Sequence, residues 1–251
     1  MTFLEGPRPR ILAHRGLAVE VPENTLAAFA AAIAVGATHV ESDVRVSADG
    51  VAVLAHDATL ERVGGGQGRI DVSSASALAA AGLAGGHGVP TLAEALAALP
   101  EARFNLDLKV PGAVEPAVRA IREAGATDRV LVTSFDETTR ARAVAALPGV
   151  ATSASRAIMT RALVAVRLRR RGALRRALAG IDAVQVPERL GRVRIVDARS
   201  VAAFHDAGVE VHVWTVNDAG AMRRLVALGV DGIVTDRADV AVATLRDQRD
   251  G

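Results

Sequence analysis

The chain contains no cysteine and no tyrosine, one tryptophan and a single lysine. Without cysteine it can form no disulfide, no thiolate nucleophile and no thiolate metal site. Aromatic residues make up 2% of the sequence, too few to supply stacking platforms for single-stranded nucleic acid, so no nucleic-acid partner is expected. Neither charge sign is in large excess: 30 basic residues against 28 acidic ones give a net of +2. Long apolar runs are missing too. The alanine-rich run 26–37 is too short to span a bilayer and has helical periodicity instead. The first ten residues, with Glu5, Pro7 and Pro9, hold no apolar stretch of the secretory kind. These absences point to a soluble, cytoplasmic protein.

What is present is an alternation. The 251 residues, half of them hydrophobic, suffice for one large α/β domain. Short apolar runs at 10–13, 38–44, 104–108, 130–134, 150–153, 183–186, 210–215 and 232–235 read as eight strands. Between them lie stripes at helical spacing, such as Leu26/Phe29/Ile33 and Val114/Ala117/Val118/Ile121. Thr91, with Glu94 three residues on, carries a capping-box signal for a helix start. Eight strand–helix units in this length predict a (β/α)8 TIM barrel of class α/β. A doubly wound sheet is the alternative, but no glycine-rich dinucleotide fingerprint follows the first strand. Residues 47–50 read as a turn, 51–55 as a returning strand and 64–68 as a flexible glycine-rich loop. The stretch about 45–89 is therefore a small hairpin and loop insertion after the second strand, inside a single domain spanning 1–251.

Chemistry gathers at the predicted strand ends, where barrel enzymes place their active sites. His14 and Arg15 end the first strand. Glu41 and Asp43 are two apart in the second strand and share a face, as do Asn105, Asp107 and Lys109 in the third. Facing into the barrel mouth, Glu41, Asp43 and Asp107 form an oxygen-rich set suited to Mg2+ or Ca2+. If the hairpin turns at 47–50, Val46 faces Val51 and Glu41 faces His56, which brings His56 back to the carboxylates; a one-residue slip would turn it away. Lys109 is the only ammonium in a chain whose 29 other basic side chains are arginine, and the two cations are not interchangeable around an oxyanion. Such a set suits phosphodiester hydrolysis. A divalent cation neutralises phosphate oxygens, Arg15 and Lys109 stabilise charge on the phosphate, and two histidines serve as base and acid.

The motifs His14-Arg15-Gly16, Pro22-Glu23-Asn24-Thr25, Glu41-x-Asp43, Asp49-Gly50, His56-Asp57 with Leu60 and Arg62, and Asn105-x-Asp107-x-Lys109 follow in that order. Later come Val132-Thr133-Ser134-Phe135, Trp214-Thr215-Val216-Asn217 and the run from Gly229 to Asp236. With these the chain resembles, over nearly its whole length, the glycerophosphodiester phosphodiesterase family of metal-dependent barrel enzymes. The resemblance implies His14 and His56 as the acid/base pair, Glu41, Asp43 and Asp107 as ligands of Mg2+ or Ca2+, and Arg15 and Lys109 on the substrate phosphate. It implies a small-molecule glycerophosphodiester substrate, cleaved to glycerol 3-phosphate and an alcohol. It also marks the inserted segment as a family hallmark. Asp107 departs from the glutamate usual at the third ligand position, and Val63 from the usual threonine.

Plainer readings apply elsewhere. Pro22-Glu23-Asn24-Thr25 reads as a helix start. His39, His87 and His205 read as structural, and His212 shares a face with Trp214. Gln185 and Trp214, at strand ends, either line the pocket or fill the core. From Arg161 to Arg176 runs a basic helix with Leu163, Val166, Leu174 and Leu178 as an apolar stripe, broken near Gly172; it reads as a solvated outer helix or as a weak contact with an anionic membrane surface. That surface motivates an alternative activity, lysophospholipase D. A non-catalytic phosphate-ester-binding barrel would show a lost histidine or ligand, and none is lost.

Overall fold

Strand pleating sorts the barrel's side chains. In the second strand Val40 and Val44 face the helices while His39, Glu41 and Asp43 face the barrel axis, and in the third Phe104, Leu106 and Leu108 alternate with Asn105 and Asp107 in the same way. The computed structural model of the chain describes residues 2–249, with side chains to 246. Its strands are β1 (Arg10–His14), β2 (His39–Val46), β3 (Ala52–Leu54), β4 (Arg103–Leu108), β5 (Val130–Thr133), β6 (Ala151–Thr152), β7 (Ala183–Pro187), β8 (Arg189–Leu190), β9 (Val193–Arg194), β10 (Glu210–Trp214) and β11 (Gly232–Thr235). Its α-helices are α1 (Leu26–Ala34), α2 (Ala75–Ala79), α3 (Leu92–Ala98), α4 (Val114–Glu123), α5 (Glu137–Ala146), α6 (Arg156–Arg167), α7 (Arg171–Ala177), α8 (Ala198–Asp206), α9 (Ala219–Ala227) and α10 (Ala238–Arg249).

Eight strands run parallel in the order β6-β5-β4-β2-β1-β11-β10-β7. The two ends meet through a parallel bridge between Ser153 and Ala183, where Ala154 N donates to Ala183 O at 3.0 Å. This is the expected (β/α)8 barrel, nearly closed. Two large apolar clusters fill the space between sheet and helices, one behind β1, β7, β10 and β11, the other behind β2, β4 and β5. Among the described residues no helix is long and apolar enough to cross a membrane.

The hairpin departs from the expected register by one residue. Val46 pairs with Ala52 and Val44 with Leu54, around a loop closed by Ser47 N to Val51 O at 3.0 Å. The Ser47 hydroxyl accepts from Val51 N and donates to Asp49, so side-chain bonds fix a longer turn than four residues allow. The loop at 64–68 is packed, not loose. Leu60 N donates to Gly68 O at 2.9 Å, and a Cβ on Gly65 would lie 2.7 Å from Leu60 Cβ, so glycine lets this turn close over Leu60. A small apolar cluster of Val53, Leu60, Ile70, Leu78 and Leu83 underlies the whole insertion. In the basic segment the helix breaks at 168–170, with Arg169 in the left-handed region at φ 54°, and Gly172 lies inside α7. Leu174 and Leu178 are buried, so the expected apolar stripe is taken up by the core.

The base of the barrel is plugged by Phe3, fully buried and edge-on to His39 at 4.9 Å. Above it Arg10, 1% exposed, holds Glu210 through two bonds of 2.9 Å, and His212 Nε2 lies 3.1 Å from the same carboxylate. A Cβ on Gly232 would meet the His212 ring at 2.7 Å, so glycine there makes room for the buried imidazole. His39 Nε2 donates to Phe3 O at 2.9 Å, and burial, aided by the charges of Arg10 and Arg103, pulls its pKa down to about 3. The unfolded chain takes up this proton below the ordinary value of about 6.5 while the fold refuses it, so stability falls as pH drops from there towards the folded pKa. Acidification from pH 7 to pH 5 should therefore cost the wild type up to about 1.4 kcal/mol per pH unit below that ordinary value relative to His39→Gln. Chemical denaturation of both at the two pH values checks this, and equal slopes would refute it.

Candidate active site

β1, β2 and β4 lie side by side in register, with His14 opposite Glu41, Glu41 opposite Asn105 and Asp43 opposite Asp107. Pleating thus delivers a histidine and three carboxylates to one end of the barrel axis. Just past β1, Arg15 and, further along the same connection, Asn24 adopt left-handed backbone at φ 57° and 56°. Asn24 N donates to Arg15 O at 2.9 Å, so the two strained residues lock one another. That bend aims the Arg15 backbone N–H at Glu41 Oε2, 3.1 Å away, and folds its side chain back over Asp43. Arg15 Nε lies 3.1 Å from Asp43 Oδ2, an ion-pair distance, although its N–H is not aligned to donate.

Lys109 Nζ stands between Asp43 Oδ1 and Asp107 Oδ2, 2.7 Å from each. Glu41, Asp43 and Asp107 are at most 7% exposed. Burial and the negative charge of Asp43 push the Glu41 carboxyl up to about 8. Asp43 stays below its usual range, because Lys109 and Arg15 outweigh its burial. Burial raises Asp107 despite Lys109 beside it, and the two carboxylates raise Lys109 against its own burial.

Both histidines are held at Nδ1 by a carboxylate. His14 Nδ1 donates to Asp236 Oδ1 at 2.6 Å, with its Nε2 3.9 Å from Glu41 Oε2. Burial lowers the His14 pKa, but the Asp236 bond and the Glu41 charge outweigh it and leave the ring above its ordinary value. His56 Nδ1 donates to Asp57 Oδ1 at 2.7 Å. The slip in the hairpin does not turn His56 away, because β3 ends at Leu54 and the pleat no longer governs residue 56; its charge acts on Asp107.

Behind these groups runs a chain of polar contacts that sequence reasoning did not assign. Asp57 Oδ2 accepts from Arg62 Nε at 2.6 Å, Arg62 binds both oxygens of Glu23 at 2.7 Å, and Arg15 Nη1 donates to Glu23 at 2.9 Å. Asn24 Nδ2 donates to Asp43 Oδ2 at 3.0 Å and its Oδ1 accepts from Ser42. Thr25 does cap α1, accepting from Ala28 N, so the Pro22–Thr25 motif starts a helix and supports the site together. Asn217 orients Asp236 with a bond of 2.7 Å. Gln185 lies inside the barrel, accepting from Ser153 Oγ at 3.3 Å and Asn105 Nδ2 at 3.4 Å, with His212 Nδ1 3.3 Å from its amide nitrogen. Trp214 is half-buried at the mouth, edge-on to Phe135 at 6.5 Å, and Arg156 lies over the Phe135 ring at 5.5 Å. His87 and His205 stand apart from this cluster, His205 bonding Asp231 at 2.7 Å.

The residues fit a hard cation. Every charged acceptor is oxygen, and Asp107 Oδ1 and Asn105 Oδ1 are buried without a hydrogen-bond partner among the described residues. As they stand, with Lys109 between two of the carboxylates, no three His, Asp or Glu side chains among the described residues form a ready-made cage.

A parallel barrel with its ionisable groups gathered at the strand ends is the architecture of a barrel enzyme. Comparison narrows the class: the chain belongs to the glycerophosphoryl diester phosphodiesterase family, whose model matches residues 14–240. It is 41% identical over 231 residues to the probable glycerophosphodiester phosphodiesterase 2 of Mycobacterium tuberculosis, covering 91% of this chain and 88% of that protein. Among solved structures, glycerophosphodiester phosphodiesterase from Agrobacterium tumefaciens superposes with a TM-score of 0.73 at 26% identity, covering 94% of this chain and 99% of the other. A phosphodiesterase from Oleispira antarctica, in complex with the product sn-glycerol-3-phosphate, superposes with a TM-score of 0.77 at 25% identity over 95% and 97% of the two chains.

Proposed function

We propose that the chain, acting as one catalytic domain in the cytoplasm, hydrolyses glycerophosphodiesters to glycerol 3-phosphate and an alcohol. The observation that carries this reading is the pair of histidines, each fixed at Nδ1 by a carboxylate, beside a buried carboxylate cluster and two cations. With Nδ1 engaged, Nε2 is the reactive nitrogen of each ring. One histidine takes the proton from the attacking oxygen as the new P–O bond forms. The other gives its proton to the alcohol oxygen as the old P–O bond breaks. We assign the acid to His56, because its side chain, 34% exposed against 21% for His14, is the more open to solvent, into which the alcohol must depart. Arg15 and Lys109 offset charge on the phosphate oxygens. Glu41, Asp43 and Asp107 would hold Mg2+ or Ca2+, which supplies further charge neutralisation at the phosphate.

Turnover of soluble glycerophosphodiesters with Mg2+ and with Ca2+, read by glycerol 3-phosphate release, tests this; no release with either would refute it. A second reading, lysophospholipase D, is favoured by the Phe135–Trp214 pair, an apolar wall at the mouth suited to an acyl chain. Product analysis on lysophospholipids separates the two.

Lys109→Arg should be far from conservative. The ammonium touches two carboxylates at 2.7 Å in a narrow gap, where a planar guanidinium is too large. Turnover should fall at least about tenfold, roughly 1.4 kcal/mol of transition-state stabilisation, with the melting temperature nearly unchanged. Steady-state kinetics beside a thermal melt checks it; near-normal turnover would make Lys109 an ordinary structural charge.

A further inference from the structure

The chain's charge is segregated along its length. Residues 138–194 hold 13 arginines and two acidic residues, Asp182 and Glu188, a net of +11; the whole chain is +2, so the remainder sums to −9. This segment forms one sector of the barrel: most of α5, strands β6 and β7, the outer helices α6 and α7, and the β8–β9 hairpin at the mouth end of β7. Only Arg140, Arg142 and Arg171 of the 13 have a carboxylate within 4.0 Å among the described residues. Among the described residues, ten guanidinium groups of this segment thus have no carboxylate within that distance.

The same sector, under a quarter of the sequence, holds four of the eight large apolar side chains left exposed: Val164, Leu168, Leu190 and Val193, each more than half exposed. They are arranged. Leu190 and Val193 pair across the hairpin at its tip, and Arg189 pairs with Arg194 directly behind them. Val164, on the outer face of α6 with Arg161, lies four residues before Leu168, the residue that caps the helix. Beside them α6, α7 and α8 border an open cleft of about 370 Å³ whose lining holds Arg169, Arg170, Arg171, Arg175 and Arg199 against one carboxylate, Asp206.

We propose that this face docks the protein on an anionic lipid bilayer, with Leu190 and Val193 entering the headgroup boundary and the arginines of α6 and α7 meeting lipid phosphates. Interleaved apolar and cationic side chains are what an interfacial surface needs. A nucleic acid would be served by the arginines alone and would leave the four apolar side chains in water. Docking on this flank sets the edge of the barrel mouth at the lipid surface, where amphiphilic phosphodiesters reside; that consequence rests on the hydrolytic reading, whereas the docking itself does not.

Flotation with vesicles of phosphatidylglycerol and phosphatidylcholine in equal parts, against vesicles of phosphatidylcholine alone, tests the proposal. The protein should float with the anionic vesicles at low salt and at least about tenfold less with the neutral ones. Leu190→Ser/Val193→Ser should lose at least about tenfold of that partitioning and keep its melting temperature and its turnover of soluble glycerophosphocholine. Should that variant fail to fold, Val164→Ser/Leu168→Ser gives the same test from α6. No flotation of the wild type at low salt, equal flotation of both folded variants, or equal affinity for duplex DNA would each overturn the proposal. So would a dimer that the hairpin variant converts to monomer. Absent turnover with intact flotation would instead refute only the hydrolytic reading.

Discussion

Replacing His14 or His56 by alanine should slow the chemical step by about 10²–10⁴ while leaving the fold's stability nearly intact. His14 ends β1 and His56 lies two residues past β3, with 21% and 34% of their side chains exposed, so the loss of either opens little core. The carboxylate behind each ring supplies direction: Asp236 and Asp57 hold Nδ1–H at 2.6 Å and 2.7 Å, which fixes the tautomer and leaves Nε2 for proton transfer. The two roles part on a substrate whose leaving alcohol is already acidic. There the variant lacking the general acid recovers turnover and the variant lacking the base does not. Recovery of His56→Ala alone is the expected outcome; recovery of His14→Ala alone would exchange the two assignments. Single-turnover rates within threefold of wild type for both variants would remove the histidines from the chemistry.

The barrel itself was legible because its signal is periodic: eight apolar runs separated by helical stripes appear as eight parallel strands within a residue or two at most ends. Glu41, Asp43 and Asp107 were legible for the same reason, since a charged residue at every second position of an otherwise buried strand must face its axis. What escaped notice depends on contacts between distant residues or on local backbone. Asp236 lies 222 positions from His14, and only the closure of β11 onto β1 brings them together. Asn24 reaches Asp43 because it and Arg15 turn left-handed, a conformation no spacing rule announces. The hairpin register slipped because Ser47 closes the loop with its hydroxyl. Arg169 ends α6 without glycine, so Gly172 was a misleading marker. Phe3 carries no pattern at all; it is buried because the barrel needs a floor.

Removing divalent cations should abolish turnover, and Mg2+ or Ca2+ should restore it, with a thermal shift as a readout independent of activity. Three carboxylates at most 7% exposed share one end of the barrel with Lys109 and Arg15 as their nearest cations. Burying carboxylates side by side is costly without further positive charge: burial first, and then the charge of Asp43, pushes Glu41 up to about 8. A cation that binds the fold and not the unfolded chain stabilises it by about 2.7 kcal/mol at a hundredfold excess over Kd, which a melt resolves easily. Asp43→Asn and Asp107→Asn should lose most of that shift, whereas Asp107→Glu keeps the charge and should retain more of it. Glu41→Gln separates this account from a merely structural one. Above about pH 8, where the Glu41 carboxyl is ionised, it removes one of the crowded negative charges, so at that pH it should raise the melting temperature of chelated protein while shrinking the response to Mg2+ or Ca2+ and lowering turnover. A stabilising role for Glu41 as an ordinary hydrogen-bond acceptor from Arg15 predicts the opposite: a lower melting temperature in chelator and an unchanged cation shift. That opposite pattern would place the cation elsewhere and leave the cluster as a buried ion network built around Lys109.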